Sequence, residues 1–331
     1  MSKFNNGRGA NGRSVLKKSE SVSNEEFFGV NPPIILDIKN SEDIHHASHL
    51  LATGENPLVA PFGNIIGYFS NPSEQAVGDL NEFKGRPRSQ TGSITTSPGY
   101  YPHIGDWSKL DSTVLPKNKV LSLIQDLSHM GPIGFILPAA DFIPSHLSKT
   151  VNGSQKTVQL IVPGKESPVN EIFEGAVKQM PDNPFIFATS GNVSSKLTGV
   201  EGAAHHRFGP LIEEFARAGK GGLIVLRDDE EAMRRRHPFH DTRSTTILNL
   251  SDVVRDNKGN ILTDKQGRPM ISISRHGSAD ERYIRKILAG QGFGASFPKE
   301  RIPSRHYSPG EYMLYTFRHG ANRMRSVQNP A

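Results

Sequence analysis

The sequence predicts a mixed α/β fold. Short apolar runs that read as strands alternate with segments whose apolar residues recur at helical spacing, without a strict period. No internal repeat is visible, and hydrophobic residues make up 35% of the 331-residue chain, enough for one sizeable core. In chain order, Ile34-Ile35-Leu36 reads as a short strand. Glu42 to Leu51 reads as a helix with Ser41 as its N-cap, and Leu58-Val59-Ala60 as a buried strand. Ser73 to Phe83 carries Ala76, Val77, Leu80 and Phe83 on one helical face, with Ser73 at the N-cap and Glu74 in the first turn. Gly85 to Leu110 reads as a long loop punctuated by Pro87, Pro98, Gly99, Pro102 and Gly105. A loop of that length inside a compact domain is usually functional or mobile.

Lys119 to His129 has the pattern of a short amphipathic helix, and Ile133 to Leu137 and Val158 to Val162 those of strands. Val169 to Gln179 is helical, and Phe185 to Ala188 is a buried strand that ends at Thr189. Phe208 to Arg217 is a helix that leads through Gly219 into the strand Leu223 to Leu226. Thr245 to Leu250, Ile261 to Thr263 and Met270 to Ser274 read as later strands, with turns at Asn257-Lys258-Gly259-Asn260 and around Gln266-Gly267. Ala279 to Leu288 is a last helix.

Composition removes several classes of function. The chain has no cysteine, so disulfides, zinc-thiolate sites, iron–sulfur clusters and thiol nucleophiles are out. No apolar run approaches the roughly 18 residues of a membrane span, so no membrane partner is expected. Lys3, Arg8 and Arg13 are followed by no apolar stretch, so the start does not read as a secretory signal. The formal net charge is +6. Residues 1–19 hold Lys3, Arg8, Arg13, Lys17 and Lys18 and no acid, and residues 300–331 hold five arginines against Glu300 and Glu311. The span between them is therefore slightly negative, and a nucleic-acid face built on bulk charge is not supported there. The expected organisation is a disordered basic arm over 1–27, one α/β domain over 28–299 and a basic tail over 300–331. The alternative for the arm is a transit peptide or an RNA-binding segment.

Four constellations could carry chemistry. Lys84-Gly85-Arg86-Pro87-Arg88 leaves a helix with cations at alternate positions on backbone bent by Gly and Pro. They can converge on a polyphosphate, Arg as a bidentate fork and Lys as a point charge, or simply form a solvated basic helix end. Thr189-Ser190-Gly191-Asn192-Val193-Ser194-Ser195 sets small hydrogen-bonding side chains where an apolar strand ends, the place where α/β sheets bind ligands. The alternative is an ordinary strand-to-helix turn. Arg243-Ser244-Thr245-Thr246-Ile247 and Arg275-His276-Gly277 are polar segments at two more strand ends. His45 with His49, and His237 with His240 and Asp241, lack a convincing ligand set, so no metal site is expected. The second group reads as part of a solvated insertion. Gly219-Lys220-Gly221-Gly222 lacks Walker spacing, and Gly290-Gln291-Gly292-Phe293-Gly294 follows a helix rather than a strand.

Taken in order, these segments resemble the YrdC-like family, the threonylcarbamoyl-AMP synthases and the related domain of HypF-type carbamoyltransferases. The resemblance runs from about Asn56 to about Gly277. Pro61-Phe62-Gly63-Asn64-Ile65-Ile66-Gly67 is similar to the family's P-T-E-T-x-Y-G turn, and Lys84-Gly85-Arg86-Pro87 to its K-x-R-P. Gly131-Pro132-Ile133-Gly134 resembles G-P-(V/I)-T, and Thr189-Ser190-Gly191-Asn192-Val193-Ser194 resembles T-S-A-N-(L/V)-S. Thr245-Thr246-Ile247-Leu248-Asn249-Leu250 resembles S-T-(I/V)-V-D-L, and Arg275-His276-Gly277 the terminal R-x-G.

The resemblance implies a YrdC-like twisted open mixed sheet with flanking helices around a basic concave pocket. It implies a cytoplasmic nucleotidyltransferase with ATP as substrate, accompanied by Mg²⁺. In the family, L-threonine and bicarbonate give a carbamate that attacks the α-phosphate, pyrophosphate leaves, and the threonylcarbamoyl-adenylate serves tRNA modification. Lys84 and Arg86 are implied as the catalytic, phosphate-holding pair. Thr189, Ser190, Asn192, Thr245, Arg275 and Asn64 are implied as substrate- and ATP-binding residues. The expected partners are ATP, bicarbonate and a small amine or amino acid, with RNA met by the basic tails.

Several positions depart from the pattern. Phe62-Gly63-Asn64 stands for Thr-Glu-Thr and Ile66 for Tyr; Gln90 and Ile161 stand where the family has cations. Residues 94–112 and 228–242 read as insertions. The amino-acid pocket is therefore expected to be more apolar than the family's. Losing a charge-assisted contact costs about 1.5–3 kcal/mol, which Arg88 or Arg243 would have to replace. The expectation is either a changed acceptor or a descendant that binds RNA or nucleotide without catalysis.

Overall fold

The computed structural model describes residues 30–151, 154–194 and 203–307. Twelve strands form one mixed sheet. In chain order they are β1 (Ile34–Asp37), β2 (Leu58–Phe62), β3 (Ile65–Ser70), β4 (Ser93–Thr95), β5 (Ile133–Pro138) and β6 (Ser148–Val151). They continue with β7 (Gln155–Val162), β8 (Ile186–Ser190), β9 (Ile224–Arg227), β10 (Thr246–Asn249), β11 (Met270–Arg275) and β12 (Gly294–Ser296). Across the sheet the order is β1-β9-β2-β3-β8-β4-β7-β5-β10-β11-β12, and β6 folds back on β7 as a hairpin. Parallel and antiparallel neighbours interleave: β2 and β9 are parallel, β3 and β8 antiparallel, β5 and β10 parallel.

Eight α-helices flank the sheet among the described residues: α1 (Ser41–Thr53), α2 (Glu74–Phe83), α3 (Tyr101–Ile104), α4 (Lys117–Met130), α5 (Val169–Gln179), α6 (Phe208–Arg217), α7 (Glu230–Arg236) and α8 (Glu281–Gly290). They divide into two layers because strand residues alternate between faces. Ile66 and Tyr68 point to the face covered by α2, α4, α6 and α8, in a cluster with Leu80, Leu127, Phe215 and Leu288. Ile65 and Phe69 point to the other face, where α1 and α5 supply Leu50, Leu51, Ile172 and Phe173. Phe69 packs on Phe173 with ring centroids 5.2 Å apart, and Tyr68 meets Phe215 edge-on at 5.7 Å on the opposite side.

The helices and strands follow the periodicity closely, and the differences have local causes. The N-cap of α1 is Asn40, whose side chain accepts from the Glu42 backbone N–H, so Ser41 is the first helical residue and not the cap. Ser73 does cap α2, accepting from the Ala76 N–H. The stretch from Gly85 to Leu110 is less irregular than expected: β4 inserts between β7 and β8, and α3 follows. Three residues are too few to show a strand's alternation. The same shortness hides β6 and β12, while β3 was obscured by the glycine and turn signals around it. Ile261 to Thr263 makes only isolated bridges, to Arg255 and Pro269.

The stretch 228–242 is not a solvated insertion. It contains α7, capped by Asp229, and buries Met233, His237 and the Asp228 carboxylate, which accepts from Arg236. The tail beyond 300 lies on the fold as far as it is described. Arg301 donates to the Gly277 carbonyl at 2.8 Å, Arg305 pairs with Glu214, and the Tyr307 hydroxyl accepts from the His206 N–H at 3.1 Å. The expected arm over 1–27 and the tail from residue 308 lie outside the described residues.

Candidate functional site

The chain after α2 explains how its cations are aimed. Lys84 is the C-cap, and Gly85 follows with φ +74°, a left-handed conformation that glycine adopts without a Cβ penalty. The reversal lets the Arg86 N–H bond to the Asn81 carbonyl at 2.8 Å. Asn81 then fixes the rest of the loop: its buried amide donates to the carbonyls of Arg88 at 3.2 Å and Gln90 at 2.8 Å. Lys84 and Arg86 therefore come to the end of β8 on a pinned backbone. Lys84 Nζ donates to Thr189 Oγ1 at 3.1 Å and to the Ser190 carbonyl. Arg86 donates to Thr189 Oγ1 at 2.6 Å and to Ser190 Oγ at 3.2 Å.

The turn is locked from its own side. Gly191 N–H bonds to the Ile66 carbonyl at 2.9 Å, and a Cβ at Gly191 would lie 2.8 Å from that oxygen, so only glycine fits. Ser194 N–H bonds to the Lys84 carbonyl at 2.9 Å, tying the turn to the basic loop. Glu214 of α6 accepts from Val193 N–H at 2.7 Å. On the other side of the cleft, Thr246 Oγ1 accepts from the N–H groups of Gly277 and Ala279, both at 3.0 Å. Arg275 Nε donates to the Thr245 carbonyl at 2.8 Å, and among the described residues neither terminal amine of the guanidinium has a partner.

A cleft of about 440 Å³ lies between these pieces. Arg86, Thr189, Ser190, Thr245 and Arg275 line it, so four sequence segments meet there. Lys149 of β6 lines it too, unforeseen by sequence because its hairpin partner had to be known first. Among the described residues the lining contains three cations and no acid. Lys84, behind Thr189, is 0% exposed, and no carboxylate pairs with it, with Arg86 or with Arg275 among the described residues. Burial, helped by the neighbouring Arg86 charge, holds the Lys84 ammonium well below its ordinary pKa. Burial also lowers Arg86, and brings Arg275 down to about 10. Three desolvated cations with hydrogen-bonded but uncharged partners make a site that an anion would complete.

Besides Lys84, which lies behind Thr189, two more predicted residues stand apart from the lining. Asn64 sits in the β2–β3 turn and spends its amide on the carbonyls of Asp241 and Arg243. Asn192 is buried, and its amide donates to the Val193 carbonyl at 2.7 Å. Neither hoped-for replacement cation reaches the cleft. Arg88 is held by Asp79 and Glu82, both at 2.7 Å, and Arg243 by Asp241 and the Ile302 carbonyl. Gln90 and Ile161 line it as neutral groups. Among the described residues no cluster of His, Asp and Glu could hold a metal ion, and no helix is long and apolar enough to cross a membrane.

No family model matches the sequence, and no curated relative matches it. Solved structures do. A double variant of Sua5 from P. abyssi superposes with a TM-score of 0.52 at 17% identity, over 77% of this chain and 64% of that one. This chain thus spans less than two thirds of that Sua5 variant's chain. A hypothetical protein from Streptococcus mutans gives 0.52 at 14% identity, over 82% of this chain and 99% of that one. P. abyssi Sua5 complexed with L-threonine gives 0.47 at 16% identity, over 83% and 68%. The fold is the YrdC-like fold that the ordered motifs implied.

Proposed function

We propose that this chain is a nucleotidyltransferase that uses ATP to adenylylate a carbamate. The observation that carries the reading is the set of cations formed by buried Lys84 and half-buried Arg86 and Arg275, which among the described residues no carboxylate pairs, on a YrdC-like fold. An amine and bicarbonate condense to a carbamate with loss of water. A carbamate oxygen attacks the α-phosphorus, an oxygen–phosphorus bond forms, the bond to the bridging oxygen of the β-phosphoryl breaks, and pyrophosphate leaves. Little covalent work falls to the protein; it must position the triphosphate and balance charge that shifts toward the leaving group.

Lys84 and Arg86 are suited to that charge, since both sit at fixed positions in a dry environment. Ser190 Oγ and Thr189 Oγ1 hold the guanidinium in plane and can hydrogen-bond phosphate or carbamate oxygens. Arg275 and Lys149 face the same space from the other wall and the β6–β7 hairpin. Because no carboxylate among the described residues lines the cleft, Mg²⁺ would enter on the triphosphate rather than on protein ligands.

The test is mass spectrometry of products from ATP, bicarbonate and a panel of amino acids. A carbamoyl-adenylate with release of pyrophosphate supports the reading, and Lys84→Ala should reduce turnover about 10²-fold or more. Neutral Gln90 and Ile161 in the lining favour a second reading, binding of nucleotide or RNA without catalysis. It would be indicated by intact ATP throughout, with binding retained. RNA binding through the tails would be salt-sensitive and lost on removal of residues 1–19.

A further inference from the structure

The cleft has apolar lining as well as cations. Phe62 of β2, Ile65 and Phe69 of β3 and Ile161 of β7 line it, all from the cluster under α1 and α5. The two kinds of lining are close. Gly67 stands opposite Ser190 in the β3–β8 ladder, and the tip of the Phe69 ring lies where a Gly67 Cβ would be, 2.4 Å from that point. The apolar floor is thus one cross-strand step, about 5 Å, from the serine that Arg86 holds.

We infer that the acceptor bound beside the phosphates is an aliphatic amino acid of the valine, leucine or isoleucine size, and not a hydroxy amino acid. The inference rests on the adenylylation reading and specifies its second substrate. Three points on the structure select this ligand. The acceptor of an adenylylation is bonded directly to the α-phosphate, so its side chain falls within one step of the group that holds that phosphate. A nucleobase, a ribose away, does not. Phe62 and Phe69 are 1% and 0% exposed, so neither offers an open ring face on which a purine could stack, and the apolar surface left for methyl groups is that of Ile65 and Ile161. The terminal amines of Arg275, without a partner among the described residues, supply a cation on the same cleft for an α-carboxylate. A threonine hydroxyl resting on Ile65 and Ile161 would lose water there and gain no partner from those two side chains.

Valine and threonine are isosteric, which makes them the sharpest comparison. Calorimetric titration of the full chain with valine, isoleucine, leucine, threonine and serine, each with and without a non-hydrolysable ATP analogue, tests the inference. Valine is expected to bind about ten- to a hundredfold more tightly than threonine. Threonine or serine binding as tightly as valine overturns it, as does binding of the analogue with no aliphatic amino acid bound in either series. Failure of the analogue alone, with valine preference intact, removes the ATP reading and leaves the apolar site. Ile65→Thr, which adds a hydroxyl at the cleft, should narrow the valine-to-threonine ratio at least severalfold. An unchanged ratio in a folded variant counts against the assignment.

Discussion

Lys84 is a cation kept where a cation is unfavourable. Its ammonium is fully buried beside Arg86, with hydroxyl and carbonyl partners but no counter-charge. Its folded pKa therefore lies below the unfolded value of 10.5, so folding releases a proton over the intervening range. The stability this group contributes is complete above pH 10.5 and is lost as pH falls toward its folded pKa. An arriving phosphate reverses the balance by favouring the charged form. Pyrophosphate binding should hence be accompanied by proton uptake, seen as heats that differ between buffers of different ionisation enthalpy. Identical heats would show that the amine is already charged. A second set of buried bases acts in the acid range. Burial lowers His237 to about 4 and His240 to about 3, against 6.5 unfolded. Their contribution is present above pH 6.5 and is lost as pH falls toward 4. Melting temperature should drop across that window, less steeply in His240→Gln; equal slopes would exclude this histidine. Sequence pattern showed the lysine and its neighbours but not their burial. Nor did it show Asn81, a polar residue one turn from Val77 on the apolar face of α2, whose position on that face was the one available signal.

At the level of elements, the cleft depends on what its strands omit. Gly67 has no side chain, and the Phe69 ring occupies the space. In Gly67→Ala the new methyl would stand 2.4 Å from that ring, and β3 is held rigidly between β2 and β8. The variant should lose about 1–3 kcal/mol in urea denaturation, as overpacked cores do, and lose ligand affinity with it. Wild-type stability with wild-type binding would mean that the ring moves freely. The motif segments were readable because each is continuous in sequence: a cap, a glycine reversal, a strand end. The β4 strand and the β6 hairpin were not, because three or four residues carry no periodicity and their strand character exists only through β7 and β8. Lys149 entered the site with the hairpin, so no local reading could have placed it there.

For the whole molecule, segments from Phe62 to Arg275 build one cleft, and residues 301–307 then pack back onto the fold. Arg301, Arg305 and Tyr307 attach residues 301–307 to the Gly277 carbonyl, to Glu214 and to the His206 backbone. Glu214 also braces the turn that follows Ser190, which couples this return to the site. Truncation after residue 300 should remove charge-assisted bonds worth about 2 kcal/mol and lower the melting temperature by roughly 5 °C. No change would show that the segment only rests on the surface. The charge arithmetic had assigned basicity to the tails, correctly for the totals. It could not see that Arg86, Lys149 and Arg275, scattered over 190 positions of a slightly acidic domain, share one wall-to-wall space.

The measurement that reaches the centre of this account is a calorimetric titration of inorganic pyrophosphate into the full chain and into Arg86→Gln. Arg86 lines the cleft from a loop, so its loss should leave the fold intact while affinity falls about tenfold or more. Equal affinity in the two proteins, or no binding to the unaltered chain, would contradict an anion site at the end of β8.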